Sequence, residues 1–203
     1  MRIIETDADV AEGAAWLAES DPRLAYALSE TGPLPLRRRP DGFAQLLSAI
    51  ISQQVSVASA AAIWKRMQDA GLTNEAAVLA AGEDELRCAG LSRQKIAYSQ
   101  ALAEAQIDYQ ALRIAADVDV MTTLTAVKGI GIWTAEIYVM FSLGRVDVFA
   151  PGDLALQVAA QDLYGLAGRP KEKELRQMSL AWTPYRSVAA RLLFAYYHIA
   201  KSR

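Results

Sequence analysis

A chain of 203 residues that is 53% hydrophobic and 22% charged can bury a sizeable core, as one large domain or two small ones. Its single cysteine, Cys88, excludes an internal disulfide, falls short of the four thiolates of a zinc ribbon or iron–sulfur cluster, and fits a reducing, cytoplasmic setting. The net charge of −2 argues against a protein that holds nucleic acid by bulk charge alone. The charge is uneven, however. Residues 1–30 are acidic (Glu5, Asp7, Asp9, Glu12, Glu19, Asp21 and Glu30), whereas Arg169, Lys171, Lys173, Arg176, Arg186 and Arg191 make the C-terminal stretch basic. Ordinary solvated helix faces and a phosphate-facing patch both account for this asymmetry. The opening "MRIIETDADV" lacks the basic-then-apolar pattern of a secretion signal, and no uncharged apolar run nears the ~18 residues of a membrane span. A soluble cytoplasmic protein with no membrane partner is the expectation.

In chain order, helical periodicity predicts helices over 8–19 and 22–30, then an irregular connection at 31–42, "TGPLPLRRRPDG". Phe43, Leu46, Leu47, Ile50 and Ile51 follow the spacing of a buried helix face. Helices are predicted next over 56–69, 75–81, 83–88, 92–106, 118–126 and 133–143. A second connection, 144–153 or "GRVDVFAPGD", leads to helices over 153–164, 171–180 and 185–201. Ser92 and Asp153 are N-cap residues by position, Pro184 reads as the first turn of the last helix, and Gly71 and Gly165 stand where helices stop. No segment alternates as a strand would. The predicted fold class is all-α.

The most informative stretch is "LTAVKGIGIWTAEI", in which two glycines one residue apart separate two helices. Gly129 and Gly131 permit positive φ, Ile130 plugs the turn into the core, and the second helix begins near Ile132. Such a turn exposes backbone amides at a helix N-terminus, an anion site that suits a phosphate without net positive charge. An ordinary αα-corner is the plainer reading of "GIG" by itself.

Leu124, Val127, Gly129, Ile130, Gly131 and Ala135, with "DVFAPGD" further on, resemble the helix-hairpin-helix–GPD superfamily of DNA base-excision glycosylases. "LLSAIISQQVSVASAAAIWKRM" and "AGLSRQKIAYSQALAEA" are similar to its alkylation-repair branch, DNA-3-methyladenine glycosylase II of the AlkA type, and the likeness runs from residue 42 to residue 200. The resemblance implies a two-lobed helical fold. Residues 42–145 would form a bundle ending in the hairpin, 1–41 with 146–203 a second lobe, and the active cleft would lie between them. It also implies a monofunctional glycosylase that flips an alkylated purine out of double-stranded DNA and hydrolyses its N-glycosidic bond, leaving an abasic site.

Residue by residue, the resemblance makes Asp153 the catalytic carboxylate, with helix capping as its other reading and Asp147 as a structural rival. Trp133 stands where lyase-competent relatives carry a Schiff-base lysine, which a tryptophan cannot replace. In the AlkA-type branch that position walls the base pocket, where ring faces attract a cationic alkylated base. Phe194 matches a second pocket aromatic and Ile137 a third, with Tyr138 one step along. Each of these aromatics also reads as core. Gln54 matches the residue that wedges into the duplex, and Gln53 is read as helping it; a polar interhelix turn is the plainer alternative. Lys128, Gly129, Ile130, Gly131 and Thr134 would meet the DNA phosphate. No cofactor and no iron–sulfur cluster are implied, and the one ion with a place is a structural monovalent cation on hairpin carbonyls. The expected species is a monomer at the nucleoid. Two rival functions remain open at this point: a glycosylase for deaminated or oxidised bases, and a non-catalytic binder of damaged DNA.

Overall fold

The structure is a computed structural model and describes residues 2–201. The described residues form thirteen α-helices: α1 (Asp7–Ser20), α2 (Pro22–Thr31), α3 (Phe43–Ser52), α4 (Val57–Asp69), α5 (Glu75–Ala80), α6 (Glu83–Cys88), α7 (Arg93–Glu104), α8 (Tyr109–Ile114), α9 (Asp117–Thr125), α10 (Ile132–Phe141), α11 (Leu154–Tyr164), α12 (Glu172–Ser179) and α13 (Arg186–Ala200). A 3₁₀ turn, Leu180–Trp182, precedes the last helix. Extended pairing among the described residues is limited to an isolated antiparallel bridge between Ile3 and Arg145, so the chain is all-α. None of these helices is long and apolar enough to cross a membrane.

Side chains that accept orphan amides set most of the helix starts. The Ser92 hydroxyl accepts from the Lys95 amide, and the Asp153 carboxylate accepts from Ala155 and Leu156. Thr6 and Asp9 form a reciprocal capping box at the head of α1. Gly71 (φ +72) and Gly165 (φ +61) follow α4 and α11 in the left-handed conformation, as the sequence predicts. Two expectations fail. Helix α8 went unpredicted because six residues are too few to show a period; Asp108 starts it by accepting from the Ala111 amide. Pro184 lies two residues before α13 rather than in its first turn, since the 3₁₀ turn and Tyr185 intervene.

The chain divides into two compact units, Arg39–Tyr138 and Met1–Arg38 with Val139–Arg203. The second boundary falls inside α10, earlier than the 145 expected from sequence. The reason is that the end of α10 is tied to the terminal segments: the Arg145 amide donates to the Val139 carbonyl, and Phe141 packs on Phe194.

In the Arg39–Tyr138 unit the core forms around α3. Phe43, Leu46, Leu47, Ile50 and Ile51 are all buried, as their spacing requires, and α3 packs against α4 and α7. Leu86, Leu102, Val120, Leu124 and Ile130 complete this core. In the other unit α13 is central and packs against α1, α2 and α11. Polar tyrosines lock the rim, with the Tyr164 hydroxyl on Asp21 at 2.6 Å and the Tyr196 hydroxyl on Asp162 at 2.9 Å.

The closest approach of α1 to α13 depends on Gly13. A β-carbon there would lie 2.7 Å from both the Tyr185 ring and the Val188 side chain. Gly13→Leu is therefore expected to overpack this contact and to lower stability by about 2–3 kcal/mol, read as a drop in the denaturant midpoint at unchanged slope.

Candidate functional site

The hairpin occupies residues 126–131 of the Arg39–Tyr138 unit. Helix α9 closes with the Val127 amide on the Leu124 carbonyl, the Ile130 amide returns to the Val127 carbonyl, and Ala135 bonds back to Gly131 in the first turn of α10. Gly129 carries the turn at φ +98. A β-carbon on it would stand 2.4 Å from the Tyr98 ring, so glycine is required there both by backbone and by space. Gly131 differs from the expectation. Its φ is not in the positive region, and a β-carbon there would meet nothing within 4 Å. Neither backbone strain nor internal packing accounts for a glycine at 131, whereas the approach of an external group to the main chain would.

The first-turn amides of a helix have no intrahelical acceptor, and here that turn is open. Ile132 is 56% exposed and Trp133 45%, which sets Trp133 apart from a core residue. Lys128 is exposed beside the turn and Ile130 is buried beneath it. Thr134 is buried, so what it can offer a phosphate is its main chain. Ile137 is partly buried. Tyr138 is buried, and its hydroxyl accepts the Gly42 amide at 2.8 Å; burial pushes its phenol up to about 12. That ring packs the unit rather than facing solvent.

Gln53 and Gln54 separate in role. Gln53 caps α3 and donates its side-chain amide to the Gly129 carbonyl at 3.0 Å, so it clamps the hairpin and is not available to insert into a duplex. Gln54 is exposed and has φ +56, uncommon for a residue with a side chain. Beside it opens a cavity of about 270 Å³, lined by Gln53, Gln54, Ser92, Gln94, Lys95 and Tyr98. Lys95 is buried, donates to the Ile51 carbonyl at 2.6 Å, and is lowered in pKa by desolvation.

Asp153 and Phe194 belong to the other unit. The loop before α11 is fixed along its length. Arg186 grips both carboxylate oxygens of Asp147, at 2.8 and 3.0 Å, and its carbonyl at 2.7 Å. Phe149 packs edge-on against Trp182 at 5.2 Å, and Gln157 donates to the Pro151 carbonyl at 2.8 Å. The Asp153 amide returns to the Ala150 carbonyl, and Asp153 Oδ1 accepts from Ala155 and Leu156 at 2.9 and 3.3 Å. Asp147 is thus held in an arginine fork, while Asp153 is aimed by a Pro-Gly turn and a helix N-terminus. Phe194 is partly buried, 6.3 Å from Phe141.

The family model for the HhH-GPD superfamily base excision DNA repair proteins matches residues 47–184. The chain belongs to this superfamily. Among solved structures it is similar to a DNA-3-methyladenine glycosidase from Bacillus halodurans, with a TM-score of 0.85 and 34% identity, covering 100% of this chain and 95% of that one. It is also similar to a 3-methyladenine DNA glycosylase of Schizosaccharomyces pombe in complex with abasic DNA, with a TM-score of 0.78, 25% identity and coverage of 90% and 95%. An alkylbase DNA glycosidase-like protein of S. pombe is 25% identical over 91% of this chain and 92% of its own length.

Within this HhH-GPD chain, sequence reasoning missed Tyr98 and the clamping role of Gln53. Both reach Gly129 from elements far away in sequence, and no local pattern marks such a contact. The two glycines should respond differently to a methyl group. Gly129→Ala is expected to destabilise by about 2–4 kcal/mol, from the left-handed backbone and the Tyr98 clash. Gly131→Ala should leave the melting temperature within a degree or so, yet weaken binding to an abasic duplex measured by fluorescence anisotropy.

Proposed function

We propose that the protein is a monofunctional DNA glycosylase that removes alkylated purines from double-stranded DNA and leaves an abasic site. The observation that carries this reading is the contrast between the two loop carboxylates. Asp147 is consumed by Arg186, whereas Asp153 is held at the head of α11 by two amides on one oxygen. A fixed carboxylate stabilises oxocarbenium character on the sugar and orients a water for attack as the glycosidic bond breaks. Family membership and the alkylation-repair relatives support the substrate class.

In this reading the hairpin amides around Gly131 hold a phosphate, Gln54 enters the duplex, and Trp133 walls the base pocket. Trp133 has no amine, so no Schiff base forms at that position and the strand stays intact after base release. The chemistry needs no cofactor; a monovalent cation on hairpin carbonyls would order the turn and take no part in catalysis. The enzyme acts as a monomer in the cytoplasm.

Asp153→Asn keeps the shape and a capping oxygen while removing the charge. It is expected to lower single-turnover base release from an alkylated duplex by at least about 100-fold, with abasic-duplex binding kept within a few-fold. The wild type should yield strands that break only on hot alkali. Base release by Asp153→Asn at the wild-type rate would rule out the assigned role, and strand breakage before alkali would rule out the monofunctional one.

A further inference from the structure

Near the start of the Phe194 helix, two aromatic rings carry protein cations on their faces. The Arg37 guanidinium lies 5.5 Å over the Phe194 ring, and Arg191 lies 4.9 Å over the neighbouring ring of Phe141. Arg191 is 0% exposed. Its hydrogen bonds among the described residues go to the carbonyls of Leu36 and Ser187, at 3.0 and 2.9 Å, and its Nη2 has no partner. Burial, and then the charges of Arg37 and Arg38, bring its pKa down to about 10, so the three guanidiniums feel one another.

Arg37 is the accessible member of this group. It is exposed, and it holds φ +52, a conformation that costs a residue with a side chain about 1–3 kcal/mol and persists only where the surroundings impose it. The Arg191 bond to the preceding Leu36 carbonyl is one such restraint. The protein therefore holds an unusual backbone geometry next to the Arg37 guanidinium on Phe194.

A bare ring face attracts a cationic base, but a face already covered by a guanidinium offers less attraction and adds like-charge repulsion. The same guanidinium presents two parallel donors, which match the O6 and N7 acceptors on the edge of a 6-oxopurine. We propose that Arg37 is a specificity-determining residue that tilts the base range toward uncharged 6-oxopurines, hypoxanthine above all, and away from cationic alkylated purines. The proposal rests on the reading of Phe194 as a wall of the base pocket. Hypoxanthine offers both acceptors without charge; 7-methylguanine has lost N7 as an acceptor, and 3-methyladenine has neither O6 nor neutrality. Guanine shows the same edge, but its full pairing makes it costlier to extrude than a mispaired base.

The test is single-turnover release of hypoxanthine and of 3-methyladenine from otherwise identical duplexes, by wild type, Arg37→Ala and Arg37→Lys, with Asp153→Asn as the blank. Arg37→Ala is expected to slow hypoxanthine release and speed 3-methyladenine release, changing their ratio by about tenfold. Arg37→Lys, which keeps the charge and loses the fork, should slow hypoxanthine release without speeding that of 3-methyladenine. An unchanged ratio overturns the proposal, including the case in which both rates fall together, as loss of a phosphate contact would cause. Release of neither base by the wild type would instead overturn the glycosylase reading beneath it.

Discussion

The contact of Gly129 with the Tyr98 ring is the constraint on which the hairpin depends. Tyr98 leaves no room for a β-carbon, the backbone must turn at φ +98, and Gln53 holds the Gly129 carbonyl from the end of α3. With that turn fixed, α10 has to begin at Ile132 with its first-turn amides open and Trp133 half exposed. One residue without a side chain therefore sets both the place for a phosphate and the position of the aromatic that follows it. The clamp uses neutral groups, an amide and a phenol ring, so salt should weaken it little.

This arrangement reconciles a net charge of −2 with a DNA-binding function. Oriented amides at a helix N-terminus carry partial positive charge wherever the backbone folds that way, and they do not enter the count of lysines and arginines. The carboxylate site works on the same local principle: Asp153 is aimed by amides of α11, and its neighbour Asp147 is withheld by an arginine. Charge is placed at particular atoms rather than spread over the surface.

Much of this was legible in the sequence because it is local. The buried face of α3, the caps at Ser92 and Asp153, the stop at Gly165 and the plug of Ile130 each follow from spacing within a few residues. The features that were not legible are contacts between distant segments. Tyr98 beneath Gly129, Gln53 on the same carbonyl, and Arg37 over Phe194 join positions separated by dozens of residues, and no period records them. Gly131 is the converse case. Its sequence neighbours suggested a conformational need, and its surroundings show none, which moves the explanation from the protein to what approaches it.

The account stands on recognition of DNA by a few hairpin amides rather than by a basic surface. The measurement that tests this most directly is the salt dependence of binding to an abasic duplex. The logarithm of the association constant should fall with the logarithm of salt concentration with a slope of about −2 to −3, the mark of two or three phosphates. A slope of about −6 or steeper would mean that many side-chain cations hold the duplex, and would contradict the hairpin as its principal dock.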